Sequence, residues 1–152
     1  MTDPIHSRRG FVERLRNPGW LCFVWFGMTA GISLLEAPVK FTTPSLTREV
    51  ALDVGRVVFS ALNKVEIVAL ILLLVLVRVG GKARDWWISL AVLLVILSVQ
   101  TGWLLPELSA RAQQILAGTE PETSIAHAAY VTLEFIKLCT LAFMGFRAYR
   151  PG

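Results

Sequence analysis

Apolar residues gather along this chain into four runs, residues 18–38, 57–77, 86–106 and 125–146, parted by short polar connections. Each run approaches the roughly 20 residues that carry a helix across a ~30 Å hydrocarbon layer. Lipid offers the backbone no hydrogen bonds, so such runs predict four membrane-spanning helices. The punctuation between them supports this. Span one is expected to end around Pro38, and Thr43-Pro44 is a helix start, with Thr as cap and Pro at the first helical position. From there the pattern runs to Arg78 with only Gly55 interrupting, longer than a bilayer needs at ~1.5 Å per residue. Gly80-Gly81 breaks the helix, and Trp86-Trp87 marks the interface where span three begins. Span three is expected to stop near Pro106, followed by a short external helix over residues 107–116. Thr119-Glu120-Pro121-Glu122 restarts helix, with acids favourably near its N-terminus. The fold class is therefore all-α: a single membrane domain over residues 1–152, a four-helix bundle built of two hairpins.

Composition sharpens this. Hydrophobic residues make up 55% and charged residues 17% of the 152 positions, against about 45–50% and 25% in soluble domains. The net charge of +4 does not point to nucleic acid, because the basic residues sit at membrane boundaries. Arg8, Arg9, Arg14, Arg16, Arg78, Lys82, Arg84, Arg147 and Arg150 fall on one side; Lys40, Arg48, Arg56 and Arg111 fall on the other, diluted by acids. Nine against four predicts both termini inside. The expected location is the plasma membrane, the inner one in a Gram-negative cell. Residues 1–18 are polar and basic, unlike a cleavable signal peptide. Cys22 and Cys139 both fall within spans and read as packing residues.

Charges inside the runs are the informative exceptions. A charge at bilayer depth costs roughly 2.5–3.5 kcal/mol on insertion scales, so it marks structure or function. Span two reads Asn63-Lys64-Val65-Glu66 and span four reads Glu134-Phe135-Ile136-Lys137. His127, Tyr130, Glu134 and Lys137 share one helical face, as do Arg56, Asn63 and Glu66, and Thr29, Ser33, Glu36 and Lys40. Span three adds Gln100 and Thr101. These stripes are expected to turn inward, giving a buried polar site of Ser33, Glu36, Asn63, Lys64, Glu66, Gln100, Thr101, Tyr130, Glu134 and Lys137. Glu66, Glu134 and His127 have the donor types of a metal site, and His127 is the one imidazole positioned to hold a haem. Pairing of the acids with Lys137 purely to fix helix register is the structural alternative. No phosphate loop, nucleophile elbow or zinc signature is present, and no residue reads as catalytic.

A faint internal repeat runs through these features. Pro38 and Glu66 recur as Pro106 and Glu134 at an offset of 68, with Ala61, Leu70 and Leu73 recurring at Ala129, Leu138 and Leu141. Hairpin duplication is an established membrane architecture. Gly27 and Gly31 are spaced for close approach of another helix. With Lys64 off the polar face, this allows for a homodimer or a larger membrane complex beside the lipid bilayer itself.

Pro38-Val39-Lys40-Phe41, after a first helix rich in small residues, resembles the Pro-x-x-Phe stretch of bacterial four-helix relatives of transmembrane protein 205. A fourth helix opening with His127, with a polar residue seven positions later at Glu134, resembles that group too, although its members more often carry Asn there. The group is distantly similar to copper-resistance and protoporphyrinogen-oxidase-type membrane proteins. That resemblance implies an all-helical membrane fold and makes a metal ion or haem the cofactors to consider. The leading expectation is a small protein that binds or transports a proton, cation or metal at a buried ionisable site between spans two and four. The alternatives are a haem- or metal-dependent redox protein and a non-catalytic accessory subunit.

Overall fold

The computed structural model describes residues 16–119 and 122–150. Within them the chain forms four long helices and no strand: α1 (Gly19–Thr42), α2 (Arg48–Val79), α3 (Arg84–Leu116) and α4 (Ala126–Ala148). Each is long and apolar enough to cross a membrane. Val24, Leu35, Ile71, Val75, Val95 and Phe146 are exposed on the bundle perimeter, the apolar outside that a helix bundle in lipid would present. The helices alternate in direction. α1 packs most closely on α4 and α2 on α3, so the four helices close as a ring in chain order with the two hairpins side by side.

Three expected helix ends move. α1 does not stop at Pro38, and α3 does not stop at Pro106; the helix expected separately over residues 107–116 is the outer end of α3. A proline in regular α-helix lacks an N–H, and its ring strikes the carbonyl four residues back. Here π-helical turns, Gly31–Glu36 and Gln100–Leu104, come immediately before Ala37-Pro38 and Leu105-Pro106. The Ala37 N–H bonds to the Ile32 carbonyl and the Leu105 N–H to the Gln100 carbonyl, five residues back in each case. The widened turn carries the helix through the proline. These two bonds are themselves related by the offset of 68, so the repeat extends from sequence into backbone geometry.

The third change is at the start of α2. Thr43-Pro44 forms a turn, and Thr47 is the cap, its hydroxyl accepting the Val50 N–H with Glu49 in the first turn. α4 starts at Ala126, whose N–H is accepted by the Ser124 hydroxyl. Glu120 and Pro121 of the expected restart lie outside the described residues, as do Arg8, Arg9 and Arg14.

The two ends of the bundle differ in packing. Between the midplane and the termini, Leu21, Cys22, Trp25, Leu73, Val77, Trp86, Leu90, Leu93, Leu141 and Met144 form a dry core. Its end is clamped by the Arg147–Asp85 ion pair and by the Asn17 side-chain amide, which donates to the Ala148 carbonyl. The opposite half is held apart by the Lys40 side chain over Gly55 and by Phe59 against Tyr130. A chamber opens there.

Candidate functional site

The polar stripes meet at the junction between dry core and chamber. Lys137 is fully buried on α4, one turn below Glu134, and its ammonium is the hub. Nζ lies 2.7 Å and 2.8 Å from the two carboxylate oxygens of Glu66 and 2.8 Å from Glu134 Oε1. It also donates to Gln100 Oε1 at 3.1 Å. Helical spacing makes this convergence: Glu134 and Lys137 are three apart, and Glu66 and Gln100 face them from α2 and α3.

Further donors complete each carboxylate. Glu66 Oε1 accepts from the Trp25 indole N–H at 3.0 Å and from the Thr29 hydroxyl at 2.9 Å, both on α1. Glu134 Oε1 accepts from the Gln100 amide at 2.9 Å, and Oε2 accepts from the Ser33 hydroxyl at 3.2 Å. Above them Asn63 and Thr101 hydrogen-bond each other across the α2–α3 contact. No buried side-chain nitrogen or oxygen among the described residues lacks a partner. Such completeness is required in lipid, where an unpaired group has no water to turn to.

Two carboxyl groups face one ammonium. With both carboxyls ionised the centre carries a formal charge of −1, in a position where uncompensated charge is costly. One further positive charge would make it electroneutral.

The chamber above the centre has a volume of about 1210 Å³ and is walled by all four helices. Its wall is mostly apolar, with Leu34, Leu52, Phe59, Leu105 and Leu108 prominent, and Ser33, Asn63, Thr101, Tyr130 and Glu134 give it a polar floor. Of the three charged groups at the centre, Glu134 alone lines the chamber. Val57 and Val65 from α2 and Val131 and Phe135 from α4 line it as well, and all four are exposed on the perimeter.

Not every residue expected in the buried site lies there. Lys64 is exposed at the chamber wall rather than buried, because it is two positions from Glu66 and so points off that face. Glu36 is half-buried and pairs with Lys40 at 3.4 Å, one turn outward of Ser33. Arg56 turns to Asp53 at 2.7 Å, away from the centre. His127 is exposed at the outer end of the chamber, more than one helical turn beyond Glu134, and Lys137 fills the space between Glu66 and Glu134. Among the described residues no three His, Cys, Asp or Glu side chains converge as metal ligands, so His127, Glu66 and Glu134 do not form the set their residue types suggested. Among the described residues no second imidazole faces His127 as an axial partner for haem.

Trp25 is the site residue that sequence reasoning missed. It extends the Thr29–Ser33 stripe back by one turn, and a mid-span Trp with its donor N–H on a polar face is the signal that identifies it.

Comparison of the chain with protein-family models, curated proteins and solved structures gave no match.

Proposed function

We infer that this is a small binding or transport-type membrane protein whose centre of Glu66, Glu134 and Lys137 holds one exchangeable positive charge, a proton when no other cation is bound. The observation that carries this reading is the charge inventory: two buried carboxyls on one buried ammonium, with one carboxyl lining an outward chamber. A chamber on one side and a dry plug on the other is the asymmetry that an outward-open binding site needs. A charge pair serving register alone needs one acid per lysine and no cavity.

The reading includes an orientation, with both termini cytoplasmic and the chamber facing outward, and a plasma-membrane location. It also includes kinship with the four-helix group related to transmembrane protein 205, which rests on the Pro38–Phe41 stretch and on His127 with Glu134. On a background lacking Cys22 and Cys139, a cysteine at Gln114 is expected to react with a membrane-impermeant reagent from outside intact cells. One at Lys82 is expected to stay unlabelled until the membrane is opened. Reversed labelling would invert the bundle.

The proton is tested by infrared spectroscopy of protein in lipid without added organic cation. A protonated carboxyl band is expected near neutral pH, absent in Glu134→Gln and in Glu66→Gln, since either change leaves one carboxylate balanced by Lys137. Wild-type protein without that band would overturn the proton-holding centre.

A further inference from the structure

Resting on that reading, we propose that the outer chamber is a binding site for amphiphilic organic cations, with the ammonium seated on Glu134 and the apolar body along the chamber wall. Size comes first. A chamber of about 1210 Å³ exceeds the ~300–1,000 Å³ of typical small-molecule pockets, so a drug-sized molecule fits. Its wall suits an apolar body and would hold water poorly.

The head group follows from the floor. Asn63 and Thr101 satisfy each other, and Ser33 is committed to Glu134. Glu134 differs between its two oxygens: Oε1 takes Lys137 and Gln100, whereas Oε2 takes the Ser33 hydroxyl, at 3.2 Å, and the Tyr130 hydroxyl also reaches the carboxylate. Ser33 and Tyr130 are neutral donors, so a cation arriving from the chamber meets the side of the carboxylate away from the Lys137 ammonium. Beside it stand Tyr130 and Phe59, packed edge to face at 5.6 Å, and aromatic faces with a carboxylate are the usual recognition set for organic ammonium ions. The same wall already holds one ammonium in this manner. Lys40 Nζ lies 5.4 Å and 5.7 Å from the Phe59 and Phe41 ring centroids and 3.4 Å from Glu36.

Charge at the floor favours a cation. Lys40 and Arg56 are paired with Glu36 and Asp53, while the centre lacks one positive charge. An anionic head would meet Glu134 at the floor; of the basic side chains lining the wall, Lys40 and Arg56 are engaged by Glu36 and Asp53, and Lys64 is exposed. Exposed Val57, Val65, Val131 and Phe135 give an apolar route for the body from the bilayer. An organic cation on Glu134 restores neutrality without the proton, so the two compete for the centre.

This competition gives a pH dependence whose sources are all identifiable. The groups facing Glu134 are Ser33 on α1, Glu66 and Asn63 on α2, Gln100 and Thr101 on α3, and Tyr130 and Lys137 on α4. His127, Lys64, Lys40 with Glu36, and Arg56 with Asp53 lie further out. Raising the pH removes the competing proton and should tighten binding of a cation that itself has no titrating proton.

The test uses three probes with one twelve-carbon chain: dodecyltrimethylammonium, dodecanol and dodecanoate. Binding to the full-length protein in nanodiscs is measured by equilibrium dialysis, with empty nanodiscs subtracting partition into lipid. Saturable binding of the ammonium is expected, tightening with pH, releasing a proton into weakly buffered medium and weakening at least about tenfold in Glu134→Gln. Ala61→Trp, which fills the chamber from α2 at a distance from the carboxyls, should abolish ammonium binding yet keep the infrared carboxyl band. Equal binding of dodecanol would mean an apolar cavity without cation recognition, and tighter binding of dodecanoate would assign the head to Lys64; either overturns the proposal. A persistent carboxyl band with no ammonium binding overturns this inference alone. A missing band overturns the proton-holding centre beneath it, and with it the competition proposed here.

Discussion

Lys137→Met is expected to destabilise the protein in detergent more than any other single change at the centre, by about 3–5 kcal/mol, the usual cost of leaving a buried charge unpaired. Methionine fills much of the lysine volume, so packing loss is a minor part. What disappears is the one donor shared by both glutamates and by Gln100, leaving two carboxyls with no cation between them. Glu134→Gln and Glu66→Gln should each cost less, because each leaves an acid–lysine pair intact. The double change Lys137→Met with Glu134→Gln should recover part of the loss, since Glu66 keeps Trp25 and Thr29 as donors. Thermal unfolding of the four variants settles the order. If Lys137→Met is no worse than Glu134→Gln, or if the losses simply add, Lys137 is not the hub.

Gly19→Leu is the second large effect expected, and it tests packing rather than charge. A β-carbon at Gly19 would lie 2.5 Å from the Ala148 β-carbon and 2.6 Å from the Tyr149 ring. The alanine β-carbon is fixed to its backbone, so α1 and α4 must separate at the ends nearest the chain termini. Overpacking of this kind costs typically about 1–3 kcal/mol, and the Asn17–Ala148 hydrogen bond is lost with it. Gly55 offers the contrast. Its β-carbon would meet the Lys40 amine at 2.7 Å, the free end of a flexible chain that can withdraw. Gly55→Ala should therefore change thermal stability far less than Gly19→Leu. Equal losses at the two positions would refute the close approach of α1 and α4.

The number of long apolar helices and the all-helical fold were written in the sequence, because a lipid solvent would impose length and apolarity on every residue of a span separately. The identity of the polar faces was legible for the same reason: 3.6-residue periodicity aligns Glu134 with Lys137, and Thr29 with Ser33, without knowledge of any neighbour. The faint offset of 68 recurs in the two π-turns that precede Pro38 and Pro106. Tertiary structure decided where those faces meet. That Lys137 stands between Glu66 and Glu134, that Trp25 reaches Glu66 from the next helix, and that Glu134 alone of the three charges lines a chamber depend on how four helices are rotated against one another. Helix endings at Pro38 and Pro106 also escaped local rules, because a π-turn relieves what a proline would break and its formation depends on hydrogen bonds outside the proline's own turn. His127 and Lys64 illustrate the limit most plainly. Their residue types suggest chemistry, but at bilayer depth the choice between core and wall is made by the rotation of the helix against its neighbours, which one chain's periodicity leaves free.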